Sequence, residues 1–278
     1  MASQSQGQED SIQTTSTPEG IHIITLSRAR VRNAVDPPTA KGLYSAFLAF
    51  ENNPAQKVCV FHGANGTFCA GADLHAVSKL NSKTQPKVQS FEDGKKGPMG
   101  PSRLQVKKPV IAAVSGYAVA GGLELSLLAD IRVVEENAVF GVFCRRWGVP
   151  LIDGGTVRLQ KVVGFGRAMD MILTGRPVAA QEALQIGLAN RVVAVGKALD
   201  EAISIARQLV GFPQLCMNAD RHSAYYAAYE AGSFGDAMRF EFENGWKVVA
   251  AEGSKGAARF SSGVGRHGSF DEDKKAKM

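Results

Sequence analysis

The stretch Lys108-Pro-Val-Ile-Ala-Ala-Val-Ser-Gly-Tyr-Ala-Val-Ala-Gly-Gly-Leu-Glu124-Leu-Ser-Leu-Leu-Ala-Asp130 organises the chain. Val110 to Val114 is a short apolar run rich in β-branched residues, long enough for a buried strand, and Ser115-Gly116 closes it. Ala120-Gly121-Gly122 carries almost no side chain, so another group can approach the main chain there. Leu123 to Ala129 then returns to helix formers. The pattern reads strand, glycine turn, helix start. The first N–H groups of a helix lack partners inside it and point along a favourable dipole, so Gly121 can offer a donor to a developing oxyanion. Glu124, one turn further in, has two readings. It is a capping or dipole partner, as acidic residues in first turns commonly are, or a base aimed at whatever the glycines hold.

A second stretch upstream repeats the pattern. Val58-Cys-Val-Phe61 reads as another buried strand, His62-Gly-Ala-Asn-Gly66 as a loop, and Thr67-Phe-Cys-Ala-Gly-Ala-Asp-Leu74 as a turn whose Ala70-Gly71-Ala72 exposes main-chain amides. Two such turns can supply two donors to one oxygen. Phe68-Cys-Ala-Gly-Ala-Asp-Leu74 together with Gly116-Tyr-Ala-Val-Ala-Gly-Gly-Leu-Glu-Leu125 resembles the paired signature of the crotonase, or enoyl-CoA hydratase/isomerase, superfamily. The likeness covers roughly residues 20 to 265, with the motifs in the family's order and spacing. It implies an α/β fold, a ClpP/crotonase-like spiral of ββα units with a C-terminal helical oligomerisation module. It divides the chain into a core over 21–198 and a helical trimerisation module over 199–265, with a second tail over 266–278, while residues 1–20, rich in Gln, Ser and Thr with almost no apolar content, read as a disordered tail.

Bulk properties agree with this. The 278 residues can bury a full core, and 45% hydrophobic and 21% charged residues are proportions of a globular protein. No window approaches about 18 uninterrupted apolar residues, so no membrane partner is expected. The net charge of +6 is scattered and lacks an RNA-binding aromatic motif, which gives no reason to expect nucleic acid. Cys59, Cys69, Cys144 and Cys216 are far apart with no CxxC pair, against both a zinc site and a disulfide framework. No metal is expected. Gly164-Phe-Gly166 lacks the third glycine of a dinucleotide-binding turn, and a serine-hydrolase elbow is missing.

Along the chain, Ile21 to Leu26 reads as a first strand, Ser27 to Pro38 as an Arg-rich loop and Thr39 to Glu51 as a helix. The resemblance places this loop around the adenine and phosphates of coenzyme A, which enters as part of the thioester substrate rather than as a separate cofactor. On that basis Arg30, Val31, Ala70, Asp73 and Leu74 are the expected coenzyme-A contacts. Phe260 matches a family aromatic near the coenzyme A of a neighbouring subunit, or is a packing residue. Ser78 to Lys108 is polar and long, which reads as a functional lid or a disordered segment, and the resemblance, which sets this region beside the acyl pocket, assigns it to specificity and mobility. Leu199 to Val210 and Ala219 to Glu252 have helical amphipathic spacing, and the resemblance makes them the module that forms a homotrimer or hexamer. The final Ala276-Lys277-Met278 resembles a relaxed peroxisomal address, the alternative being a solvated lysine-rich end in a cytoplasmic protein.

The resemblance also assigns chemistry. The N–H groups of Ala72 and Gly121 would grip a thioester oxygen, and Glu124 matches the first of the two glutamates used by family hydratases. The second falls on Cys144. A thiol with an ordinary pKa near 8.5 does not simply replace a carboxylate. Burial would make its thiolate rarer, and a neighbouring Arg145 or Arg146 would make it commoner. Asp153 is the nearby carboxylate, either a second acid/base or, as preferred, a structural partner of Arg145, Arg146 or Arg158. Two functions therefore stand: an acyl-CoA enzyme working through Glu124, or a non-catalytic coenzyme-A- or RNA-binding relative.

Overall fold

The computed structural model describes residues 11–79 and 96–265. The tail over 1–10, the final 266–278 with its Ala-Lys-Met, and the 80–95 part of the specificity segment lie outside the described residues. The chain divides into two units, Met1–Arg207 and Gln208–Met278. The division falls inside the helix Ala198–Gly211 rather than ahead of it, as the sequence boundary at 198 had it.

The first unit is built on a six-stranded sheet in the order β1 (Ile12–Ser16), β2 (Ile21–Leu26), β3 (Val58–Gly63), β4 (Val110–Val114), β6 (Ile131–Glu135), β9 (Arg191–Val193). From β2 onward neighbours pair in parallel, as expected of strands joined by crossovers and apolar on both faces. All five residues of β4 are buried. A second sheet of three strands, β5 (Tyr117–Val119), β7 (Val139–Gly141) and β8 (Val178–Ala179), lies in the order β5-β7-β8. The helix Pro37–Asn52 starts on an Asp36 cap that accepts from the Thr39 amide at 2.9 Å, with prolines at its first positions. It buries Leu43, Phe47 and Phe50, and Phe47, Phe61 and Phe68 form an edge-to-face chain with centroids 5.1 to 5.5 Å apart.

Two elements differ from the sequence reading, and a third falls where that reading assigned none. Residues 11–20, expected to be disordered, include β1, which pairs antiparallel with β2 from Ile12↔Leu26 to Ser16↔His22. Its Thr and Ser content reads as polar tail, yet β-branched threonine suits an edge strand, and Ile12 packs on the core. Tyr117–Val119 is a short strand and not merely part of a glycine turn. Phe165–Thr174 is a helix that follows Gly155–Val163 directly, with Gly164 at φ 83 turning the chain between them.

In the second unit, Gln214–Tyr229 packs against Phe234–Val248 through a Tyr226–Phe240 stack at 3.8 Å. Asn244 donates to the Ala219 carbonyl at 2.9 Å and to Ser223 at 3.0 Å. A π turn over Val249–Gly253 leads into Ser254–Ser261, which carries Phe260, exposed. No described helix is long and apolar enough to cross a membrane.

Candidate active site

Main-chain pairing brings the two small-residue turns together. Cys69 bridges Ala118 in parallel, its N–H donating to the Tyr117 carbonyl at 2.8 Å and its own carbonyl accepting from Val119 at 3.1 Å. On the other side Ala72 bridges Val35, with Val35 N–H on the Gly71 carbonyl at 2.8 Å and Asp73 N–H on the Val35 carbonyl at 2.9 Å. Gly71, at φ 99, is pressed so close to the second turn that a Cβ there would lie 2.9 Å from the Ala120 Cβ and 3.2 Å from the Gly121 nitrogen. A side chain on Gly122 would collide with the Cys69 carbonyl. Both glycines are therefore demanded by close approach of two backbones. Ala120 holds φ 53 without being glycine, a conformation costing about 1–3 kcal/mol. Its amide donates to Gly141 at 2.8 Å, so the three-stranded sheet enforces the turn that opens the helix Gly121–Ser126. The amides of Ala72 and Gly121 have no acceptor among the described residues.

Glu124 lies in the first turn of that helix and is 3% exposed. It does not cap its own helix. Its Oε1 accepts from Asp153 N–H at 2.9 Å and from Gly155 N–H at 2.8 Å, at the start of the helix Gly155–Val163. Gly155 has to be glycine, since a Cβ would sit 2.9 Å from Oε1. Oε2 has no partner among the described residues. Burial pushes the carboxyl up to about 7 against the pull of the two amides and of Arg158, and the charge of Asp153 adds to the rise. A carboxyl that titrates near neutrality with one oxygen anchored and the other unengaged can take up and return a proton.

Cys144, in the turn Phe143–Trp147, is buried, and its thiol is pushed up first by burial and next by the charge of Glu124. Arg145 pulls the other way more weakly. The thiol is therefore neutral and shares Glu124's surroundings. Asp153 is 3% exposed, and its carboxylate takes partners beyond the expected arginines. Its Oδ1 accepts from the Met99 N–H at 3.0 Å and from the Ser102 hydroxyl. Arg145 instead donates to the Ile172 carbonyl at 3.0 Å, and Arg146 lies over the Trp147 ring at 5.8 Å. Arg158 donates to the Ser102 and Leu104 carbonyls and, with Arg103, acts on Asp153 through its charge. Burial nevertheless raises the Asp153 carboxyl.

The expected coenzyme-A contacts separate. Arg30 is exposed on the turn Ala29–Val31, with Val31 half-buried beside it, and Leu74 is exposed. Ala70 donates to the Arg32 carbonyl at 3.1 Å. The Asp73 carboxylate is already engaged: it caps the His75 amide at 3.0 Å and pairs with Arg28 at 3.4 Å. Phe260 belongs to the second unit. The sequence reading missed Asn33, Ser102 and Met99. Asn33, buried at φ 58, donates to the Ala64 and Thr67 carbonyls at 2.9 and 2.6 Å and accepts from Arg28 N–H at 2.7 Å, stapling the Arg-rich loop to the first turn. Asparagine tolerates that left-handed conformation better than most residues, a signal the sequence does carry. Among the described residues no cluster of three His, Cys, Asp or Glu could hold a metal.

Two paired glycine turns beside a buried glutamate, on a parallel sheet flanked by a second small one, define a crotonase-type fold and site. The chain belongs to the enoyl-CoA hydratase/isomerase family, whose profile matches residues 16–244. It is 34% identical over 241 residues to the enoyl-CoA hydratase EchA19 of Mycobacterium tuberculosis, covering 85% of this chain and 88% of the relative. Over 198 residues it is 38% identical to the carnitinyl-CoA dehydratase of Salmonella arizonae, covering 70% and 73%. Its fold is similar to the crystal structure of an enoyl-CoA hydratase from Mycobacterium tuberculosis H37Rv, with TM-score 0.82, 29% identity and 91% and 96% coverage.

Proposed function

We propose that the chain acts on an acyl-CoA thioester, relocating a proton and a double bond through an enolate with Glu124 as the single proton carrier. The observation that carries this is two unbonded main-chain amides beside one buried carboxyl titrating near 7. The amides of Ala72 and Gly121 receive the thioester oxygen as the α C–H bond breaks and its electron pair moves onto that oxygen. Oxyanion donors of this kind contribute about 3–4 kcal/mol each in acyl-transfer enzymes. Oε2 of Glu124 takes the proton and returns it at the α- or γ-carbon, so that atoms and charge balance with no second base. The Cys144 thiol, held neutral, stands where a second carboxyl is expected, so this reading places the proton transfer on Glu124. The family relatives named hydratase and dehydratase support the substrate class.

Arg30, Val31, Ala70 and Leu74 are the proposed coenzyme-A contacts, and the exposed Phe234, Phe242 and Trp246 of the second unit support self-association into a trimer or hexamer. The test of the main reading is mass-spectrometric deuterium uptake by a panel of saturated and unsaturated acyl-CoA esters. Uptake or double-bond shift that Glu124→Gln abolishes, with coenzyme-A ester affinity retained, is the expected result. Tight ester binding with no exchange on any ester would instead favour the non-catalytic reading, to which the thiol at position 144 also points.

A further inference from the structure

Resting on that reading of Glu124, we propose that Asp153 is a positioning residue that ties the proton carrier to the oxyanion turn. Its main-chain N–H holds Glu124 Oε1 at 2.9 Å, while its side-chain Oδ1 holds the Met99 amide at 3.0 Å and the Ser102 hydroxyl. Met99 in turn lies against the second glycine turn: its sulfur is 2.7 Å from where a Cβ on Gly121 would stand. One residue thus meets both halves of the site from behind. Ser102 is fully buried, and Gly97 has no side chain where one would strike both the Ser102 hydroxyl and Asp153 Oδ1. Arg158, from the helix Gly155–Val163, ties down the same segment by donating to the Ser102 and Leu104 carbonyls. Asp153 Oδ1 is thus turned to Met99 and Ser102, with the charges of Arg103 and Arg158 acting on the same carboxylate, and the side chain holds a main-chain amide and a buried hydroxyl in place.

The charges around Glu124 then divide clearly. Asp153 raises its proton affinity, Arg158 and the two amides lower it, and the Cys144 thiol is neutral. Asp153 therefore tunes the group it positions.

The experiment is an infrared pH titration of the full-length chain without ligand, with the Glu124 carboxyl band assigned by its disappearance in Glu124→Gln. Asp153→Asn keeps an acceptor for Met99 and Ser102 but removes the charge, and should lower the Glu124 midpoint by about half a pH unit or more. Ser102→Ala, which lets Asp153 hold its proton more readily, should move the midpoint the same way by less, with Ser102→Thr restoring it. On a turned-over ester, Asp153→Ala should lose about tenfold more kcat than Asp153→Asn with KM within about threefold, because only alanine releases Met99. A Glu124 midpoint unmoved in both Asp153→Asn and Ser102→Ala overturns the inference. Absence of turnover on every ester would sink the proposed reaction alone, since the titration reads Asp153 without substrate.

Discussion

Replacing Glu124 by glutamine separates what the carboxyl does for stability from what it does for chemistry. Glutamine keeps a carbonyl oxygen where Oε1 accepts from Asp153 and Gly155, so the packing and both hydrogen bonds survive. What changes is titration. Burial lifts the carboxyl from an ordinary value near 4.5 to about 7, a rise of roughly 2.5 pH units. At about 1.4 kcal/mol per unit this corresponds to about 3 kcal/mol. Because the folded-state pKa is raised, the neutral form is the one the fold accepts. The wild-type chain has this stability in full below pH 4.5, loses it as pH rises toward 7, and has none of it above about pH 8. Glu124→Gln carries no such slope. Thermal unfolding by calorimetry between pH 5 and 9 should therefore show the two proteins diverging as pH rises. The variant should be more stable by up to about 3 kcal/mol at pH 8.5, roughly 6–12 °C in Tm for a domain of this size. A difference in Tm that stays constant across that range would refute the argument, because it would mean that Glu124 is ionised in the fold at every pH tested.

Three further outcomes follow from the geometry. Cys144→Glu places a second carboxyl beside Glu124 and should raise crotonyl-CoA hydration measured by loss of enoyl absorbance, whereas an unchanged rate would mean that position 144 does not face the substrate. Gly71→Ala would force a Cβ to 2.9 Å from Ala120 and 3.2 Å from the Gly121 amide at φ 99, and should cut kcat about 10²-fold or more; retention of full activity would show that the two turns do not form one oxyanion site. Asn33→Ala leaves the Ala64 and Thr67 carbonyls without their donor and should cost about 1–3 kcal/mol in chemical denaturation, so an unshifted midpoint would count against its role as a staple.

What the sequence revealed and what it hid follows from the range of the interactions. The buried strands over 58–63 and 110–114 are continuous apolar runs, and the two glycine turns stand out because small residues repeat at close spacing, so both were legible locally. Glu124 was visible as a first-turn acid, but its partners lie at positions 153 and 155, and no local rule says that a carboxylate will cap a helix other than its own. The same distance hid Ser102 and Met99, which reach Asp153 across some fifty positions of chain. β1 was hidden for a different reason: its partner β2 supplies the pairing, and its exposed face carries the hydroxyl residues that made it look unstructured.

The bridges Val35↔Ala72 and Cys69↔Ala118 pin the two small-residue turns by main-chain pairing, whereas the residues at 144 and 153 sit on a turn and a helix entrance beyond them. Shifting either turn would mean breaking those main-chain bonds; changing a side chain at 144 would not. On the proposed function, a scaffold divided in this way would exchange one reaction outcome for another by point substitution and still recognise the same class of carbonyl.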